Sequence, residues 1–496
     1  MSQKFSRGSH PILLAVCLAA GALLSARTGA SSALTDPAGR QASGAFDRWF
    51  TPETMRVDYY HTGGPGGETL ALDRVVSDGA WAGSTTRLVD DTGLGPYRFL
   101  VVDPASGQVL YSRGFASLYG EWATTSEART MNRTYHESVR FPWPQAPVRV
   151  DLQTRDAQNR FVPLASFEID PATRGVDRSE PAGRGTVWTL FENGPPQQKV
   201  DLVLLGVGYT AAEMEAFHAD ARRLIEVLFS LEPYRSRRSD FNVRAIDLPA
   251  PSSGVSRPHA GKYRRDPVGT TYSVFDSERY ALALDNRALR EVLAAAPYEC
   301  VGILINEAQY GGGGIFGWQA AAAVGSAFSD YIFVHEFGHH FAALADEYYT
   351  SPVAYETGAV DLAEPWEPNI TAMQDPSALK WGDLVAPGTP LPTPWDKARY
   401  EAFARGILER RLKLIEDQAS EAAFDELFTE QRAVELEMLA GMAFSGRVGA
   451  FEGAGYEAVG LYRPEVDCIM FTRDMTGFCR VCQRAIERMI DLYSRP

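Results

Sequence analysis

The chain has 496 residues, 45% of them hydrophobic and 22% charged, with a formal net charge of −15. That length suits two to four domains, each able to bury a core. An acidic chain with no basic stripe argues against a nucleic-acid partner, because phosphate neutralisation supplies most of that affinity.

In chain order, Lys4 and Arg7 give a positive start, and residues 11–26, PILLAVCLAAGALLSA, form an apolar run. The run is short and rich in glycine and alanine for a membrane span, and small residues follow up to Ala30 and Ala33. Residues 1–33 are therefore read as a signal peptide, which leaves no membrane span after its removal; an uncleaved anchor is the competing reading. Cys17 follows Val16 rather than a small residue, so it is expected to leave with the signal. Residues 34–45 read as a flexible leader. From residue 46 to 170 short alternating runs are broken by turns, as in YRFLVVDPASGQVLYSRG, and predict a β-sandwich. Residues 171–186 are rich in Pro, Gly and Arg and read as a linker.

From residue 187 the pattern changes to strands alternating with helices, an α/β layer. KVDLVLLGVGYT reads as a buried strand, and Thr210 with Glu213 as a capping box for the next helix. The glycine run in residues 310–324, YGGGGIFGWQAAAAV, reads either as an edge strand lining a cleft, open to an extended substrate, or as a mobile loop. Residues 399–443 carry many Glu–Arg and Glu–Lys neighbours and predict a solvated insertion of two helices.

The chemistry concentrates in VHEFGHHFAALADEYYT, residues 334–350. One helical turn puts His335 and His339 on one face, where two imidazoles can bind one zinc ion. Glu336 neighbours them as a general base toward a water molecule attacking a carbonyl. The chain has 8 histidines and three fall within six residues, which favours a built site over a helix that merely carries polar groups. His340 lies about 100° round the helix from His339 and is not expected to ligate. The third ligand is open among Asp346, Glu347 and a distant residue: an unbroken helix delivers neither of the first two, and AALA at 342–345 has no glycine to ease a turn.

Without Cys17 four cysteines remain: Cys300, Cys468, Cys479 and Cys482. In an exported chain these suggest a disulfide, joining Cys468 to Cys479 or Cys482. CRVC at 479–482 is alternatively half a zinc site or a redox pair, but no second ligand pair of similar spacing is evident. NRT at Asn132 and NIT at Asn369 match the glycan-acceptor pattern.

HEFGHHFAALADEYY, EPNITA at 367–372, GAFEGAGYEAVGLYRPEVDCIM at 449–470 and FCRVC at 478–482 together resemble the immunoglobulin A peptidase family of zinc metallopeptidases, which is metzincin-like. The β-rich region before them resembles the domain that precedes the peptidase in that family. The resemblance implies an α+β multidomain chain: an N-terminal β-sandwich (46–170), then a metzincin-like α/β zinc peptidase domain (187–496) with a helical insertion. It implies His335, His339 and Asp346 as zinc ligands, Glu336 as catalytic base and Met470 as the methionine turn beneath the zinc. The sequence departs from the usual metzincin spacing: Ala342 stands at the glycine position, and Asp346 falls one residue late. Thr472 stands where some metzincins have a tyrosine, which leaves Tyr462 as a candidate for transition-state stabilisation. The leading expectation is an exported endopeptidase with one catalytic zinc, acting on protein or peptide. A surface adhesion protein with a vestigial peptidase domain and a cell-wall amidase are the alternatives.

Overall fold

The computed structural model describes residues 46–350 and 363–494. The expected signal peptide over 1–33, with Cys17, and the leader over 34–45 lie outside the described residues.

A short helix α1 (Phe46–Trp49) leads into β1 (Phe50–Gly64) and β2 (Gly67–Ala80), followed by β3 (Tyr97–Val102), β4 (Val109–Phe115), α2 (Leu118–Ala123), β5 (Arg133–Pro144), β6 (Val148–Arg155), β7 (Phe161–Ile169) and β8 (Val176–Asp177). They form two four-stranded sheets, ordered β5-β1-β2-β8 and β4-β3-β6-β7. Alternate residues of each strand meet in one apolar core: Met55, Val57 and Tyr59 from β1 face Phe99, Val101, Val150 and Leu152 of the other sheet. DPASG closes the β3–β4 hairpin, with Asp103 and Gly107 paired through their backbones. The expected linker, 171–186, is partly drawn into structure, since β8 pairs with β2.

The intervening residues of β1 are polar yet buried, Arg56 and Asp58 among them. They are covered by the next domain rather than by water. Asp78 holds both Arg56 and Arg140, Arg140 donates to the Tyr298 carbonyl at 2.9 Å, and Asn286 donates to Ser138 Oγ at 2.8 Å. A strand with one apolar and one charged face thus welds two domains, because each buried charge has a partner.

The second domain comprises β9 (Thr186–Phe191), β10 (Val200–Val207), α3 (Met214–Leu228), β11 (Phe241–Asp247), the two-residue β12 (Thr270–Thr271) and β13 (Leu282–Ala283), α4 (Asn286–Leu293), β14 (Cys300–Ile305), β15 (Gly312–Ile315), β16 (Gln319–Ala323) and α5 (Ser329–Ala342). Six strands make one sheet, in the order β15-β16-β14-β10-β11-β9. Its centre is parallel, and both edge strands run antiparallel to their neighbours. Every residue of β10 is buried, as a parallel strand covered on both faces demands. The Thr210–Glu213 capping box is present before α3.

The chain continues through α6 (Lys397–Glu416), α7 (Glu421–Ala440), a β17 (Phe451–Ala454)–β18 (Glu457–Arg463) hairpin and α8 (Arg480–Ser494). The charged helical pair expected over 399–443 is α6 and α7, solvated over most of its surface but seated on the domain by one face. Phe424, Leu427, Phe428 and Leu439, at helical spacing, bury one face of α7 in the main core. Phe428 meets Phe328, just before α5, with ring centroids 6.0 Å apart. Among the described residues, no helix is long and apolar enough to cross a membrane.

Candidate active site and metal centre

Helix α5 is seated under the edge of the six-stranded sheet, and the glycine run explains how closely. A Cβ on Gly314 would stand 2.3 Å from the Glu336 carbonyl oxygen and 2.8 Å from the His339 Cβ. Only glycine lets β15 lie directly on the helix turn that carries the histidines. Residues 312–315 are thus an edge strand, and Gly314 lines a cleft together with His335, Glu336, His339 and Asp346.

The helix ends where the sequence offers no glycine. Ala343 adopts the left-handed conformation, φ 54° and ψ 32°, and its N–H and that of Leu344 return to the carbonyls of His339 and Gly338. This terminus, at a strain of about 1–2 kcal/mol for an L-residue, turns the chain back and brings Asp346 under the helix. Asp346 Oδ1 lies 3.0 Å from His335 Nε2 and 3.2 Å from His339 Nε2, and the two Nε2 atoms are 3.1 Å apart.

The other ring nitrogens fix the tautomers. His335 Nδ1–H donates to the Ile469 carbonyl at 2.9 Å, and His339 Nδ1–H donates to the Leu344 carbonyl. Both Nε2 atoms therefore present bare lone pairs to each other and to a buried carboxylate oxygen without a hydrogen-bond donor of its own. Three such donors repel unless a cation joins them. Two imidazoles and one carboxylate are a zinc set, and tetrahedral ligands at 2.0–2.2 Å stand about 3.3 Å apart, close to the separations here. The residues fit the ion. Metal-free, burial opposes a charge on His339, but Asp346 and Glu336 outweigh it and push its pKa up to about 9, so a proton takes the place between the donors that an ion would fill. Burial alone would raise the Asp346 carboxyl, but the imidazoles hold it well below the usual carboxylate range.

Glu336 stands beside this cluster. Desolvation raises its pKa, and Asp346 adds to that rise, against the lowering effect of the imidazoles and the Gly314 N–H. Met470 is fully buried under the helix, its sulphur positioned so that a Cβ on Gly338 would come within 3.1 Å. Its carbonyl accepts the Glu347 N–H at 2.8 Å. His340 does not face the cluster: Nδ1–H donates to the Ile315 carbonyl and Nε2 accepts from Val301 N–H. Burial lowers its pKa to about 4, so it is a neutral strut between helix and sheet.

The structure also supplies residues that the sequence reading did not single out. Tyr456, at the β17–β18 turn, donates its hydroxyl to Asp346 Oδ2 and lines the cleft. Tyr462 instead pairs through its backbone with Thr371, and it is not among the cleft-lining residues. Pro96, Ala116 and Glu121 of the first domain form part of the cleft wall, and Ala116 N–H donates to the Phe316 carbonyl. Asn369 is fully buried, with its amide bonded to both backbone groups of Ala345 and to Glu347, so the expected glycan acceptor is a brace for the ligand loop.

The expected disulfide is absent. Cys300, Cys468, Cys479 and Cys482 are free and buried, and Cys468 Sγ and Cys482 Sγ are 3.9 Å apart. The sulphurs of Cys468, Cys479 and Cys482 gather around Glu347 instead of pairing.

A family model described as IgA Peptidase M64 matches residues 188–490, and one described as Peptidase M64 N-terminus matches residues 45–165. Comparison with curated proteins found no match.

Proposed function

The chain belongs to the IgA peptidase M64 family and is a peptidase, and from that premise we propose that it is a zinc-dependent endopeptidase with Glu336 as its general base. The observation that carries this reading is the convergence of two bare imidazole nitrogens and the Asp346 oxygen. His335, His339 and Asp346 would hold the ion. When bound, zinc supplies Lewis acidity toward the scissile carbonyl and toward water.

The protein groups do the rest. The Glu336 carboxylate takes a proton from the attacking water, whose oxygen bonds to the carbonyl carbon. The same proton then passes to the leaving nitrogen as the C–N bond breaks, so the base is regenerated. Burial raises the Glu336 pKa, which makes its carboxylate a stronger base toward the water proton. Ile469 and Leu344 carbonyls keep the ring orientations, and Tyr456 orients Asp346. Export of the mature enzyme is part of the proposal, supported by the basic and then apolar start of the chain.

Glu336→Ala is expected to keep its zinc and lose about 10²–10⁴-fold in turnover of an unfolded-protein or glycoprotein panel. Asp346→Ala is expected to lose the ion held by His335 and His339. Turnover near wild type in the first variant, or full zinc occupancy in the second, overturns the assignment.

A further inference from the structure

Beside the His335–His339–Asp346 cluster lies a second group of donors that peptide hydrolysis does not use. Glu347, Cys468, Cys479 and Cys482 each place a ligand atom within 4.8 Å of the others, and all four residues are buried. Glu347 Oε1 is 3.2 Å from Cys482 Sγ and 3.9 Å from Cys479 Sγ. Cys468 and Cys482 stand 3.9 Å apart, nearly twice the S–S bond length of about 2.05 Å. A tetrahedral zinc with sulphur ligands at 2.3 Å and an oxygen ligand at 2.0–2.2 Å sets S···S near 3.8 Å and S···O near 3.5 Å. The separations here straddle those values.

We propose that Glu347, Cys468, Cys479 and Cys482 form a second, structural zinc site. Three soft sulphurs select zinc over hard cations such as magnesium or calcium. Four protein ligands close the coordination sphere, which is the mark of a structural site rather than a catalytic one. Cys479 N–H and Cys482 N–H point at the sulphurs of Cys468 and Cys479, at 3.3 and 3.4 Å, as donors that stabilise thiolates. Cys482 also lies in the first turn of α8, where the helix dipole favours negative charge. Asn369 Nδ2 donates to Glu347 Oε1 at 3.0 Å and orients it, while Glu347 Oε2 is buried without a hydrogen-bond partner. Arg463 is the buried cation acting on Glu347, but it donates to the carbonyls of Gly453 and Val466.

The two clusters are joined through the backbone. Asp346 and Glu347 are consecutive, one facing each cluster. Cys468 precedes Ile469 and Met470, whose carbonyls hold His335 and the Glu347 N–H. An ion at the second cluster would clamp the loop bearing Asp346 to the turn beneath α5. Its role is positional, and it stands whether or not the first cluster is catalytic.

The test is zinc analysis and zinc-edge X-ray absorption on the full mature chain after dialysis in metal-free buffer. Two zinc ions per chain with sulphur among the scatterers are expected. The His335→Ala/His339→Ala double variant should then keep one ion in a three-sulphur sphere. Cys479→Ser/Cys482→Ser should lose the sulphur-bound ion; if it does not fold, the wild-type spectrum decides alone. A wild-type spectrum with no sulphur scatterers, or a Cys468–Cys482 disulfide in unreduced peptide maps, overturns the proposal. A wild-type protein that holds only the sulphur-bound ion would count against the catalytic reading and leave this one intact.

Discussion

Gly314→Ala is the sharpest probe of how the site is built. The new methyl would sit 2.3 Å from the Glu336 carbonyl oxygen and 2.8 Å from the His339 Cβ. Against an optimal separation of about 3.5 Å, the overlaps are roughly 1.2 and 0.7 Å. Both obstacles belong to the main chain or its first side-chain atom, so no rotamer change relieves them. Either β15 lifts or the helix moves by about 1 Å. Overpacking of that kind costs about 1–3 kcal/mol, and a 1 Å displacement of reacting groups costs about 100-fold in rate. The assay pairs thermal unfolding with kcat/KM on any peptide that the wild type cleaves, alongside zinc content. Gly406→Ala is the control: it lies inside α6 with no atom within 4 Å of its Cβ position, and alanine there should stabilise by about 1 kcal/mol. A Gly314→Ala protein with wild-type Tm and turnover would refute the claim that the strand is seated on the catalytic helix.

Two further outcomes follow from contacts described above. Tyr456→Phe removes the hydroxyl that holds Asp346, and zinc affinity measured by chelator competition should fall about 10-fold with little change in Tm; an unchanged affinity shows the tyrosine to be a packing residue only. In the first domain, His61 sits between Glu68 at 2.8 Å and Glu137 at 3.1 Å. Burial opposes its charge, but the two carboxylates outweigh that and raise its pKa. A group with a raised folded pKa contributes stability below its unfolded value, about 6.5, and loses it as pH rises through the folded value. Denaturant midpoints should therefore decline as pH rises above about 6.5 in the wild type and less so in His61→Gln; identical slopes exclude His61 as the source.

What could be read from the sequence was what is local. His335, Glu336 and His339 declare themselves because helical spacing alone sets their face. β10 declares itself because a strand covered on both faces must be apolar throughout. Asp346 stayed one of three options because its delivery depends on Ala343 accepting a left-handed backbone that composition disfavours. The glycine run was ambiguous because its reason lies in the helix it touches, 22 to 25 residues later. CRVC looked like an incomplete zinc site because its other donors, Glu347 and Cys468, are not a neighbouring pair; one comes from the loop after α5. The charged helices α6 and α7 looked solvated because their charges outnumber the few aromatics that bury α7.

The Asp346–Glu347 loop takes its restraints from far downstream. Gly455 N–H holds the Asp346 carbonyl, the Met470 carbonyl holds the Glu347 N–H, and Tyr456 reaches Asp346 across 110 positions. Translation delivers the HEFGH helix long before any of these partners exists. A nascent or truncated chain thus carries two histidines with no seated third donor. On the proposed zinc reading, a chain cut before Gly455 should hold the ion at His335 and His339 more weakly than the full chain does.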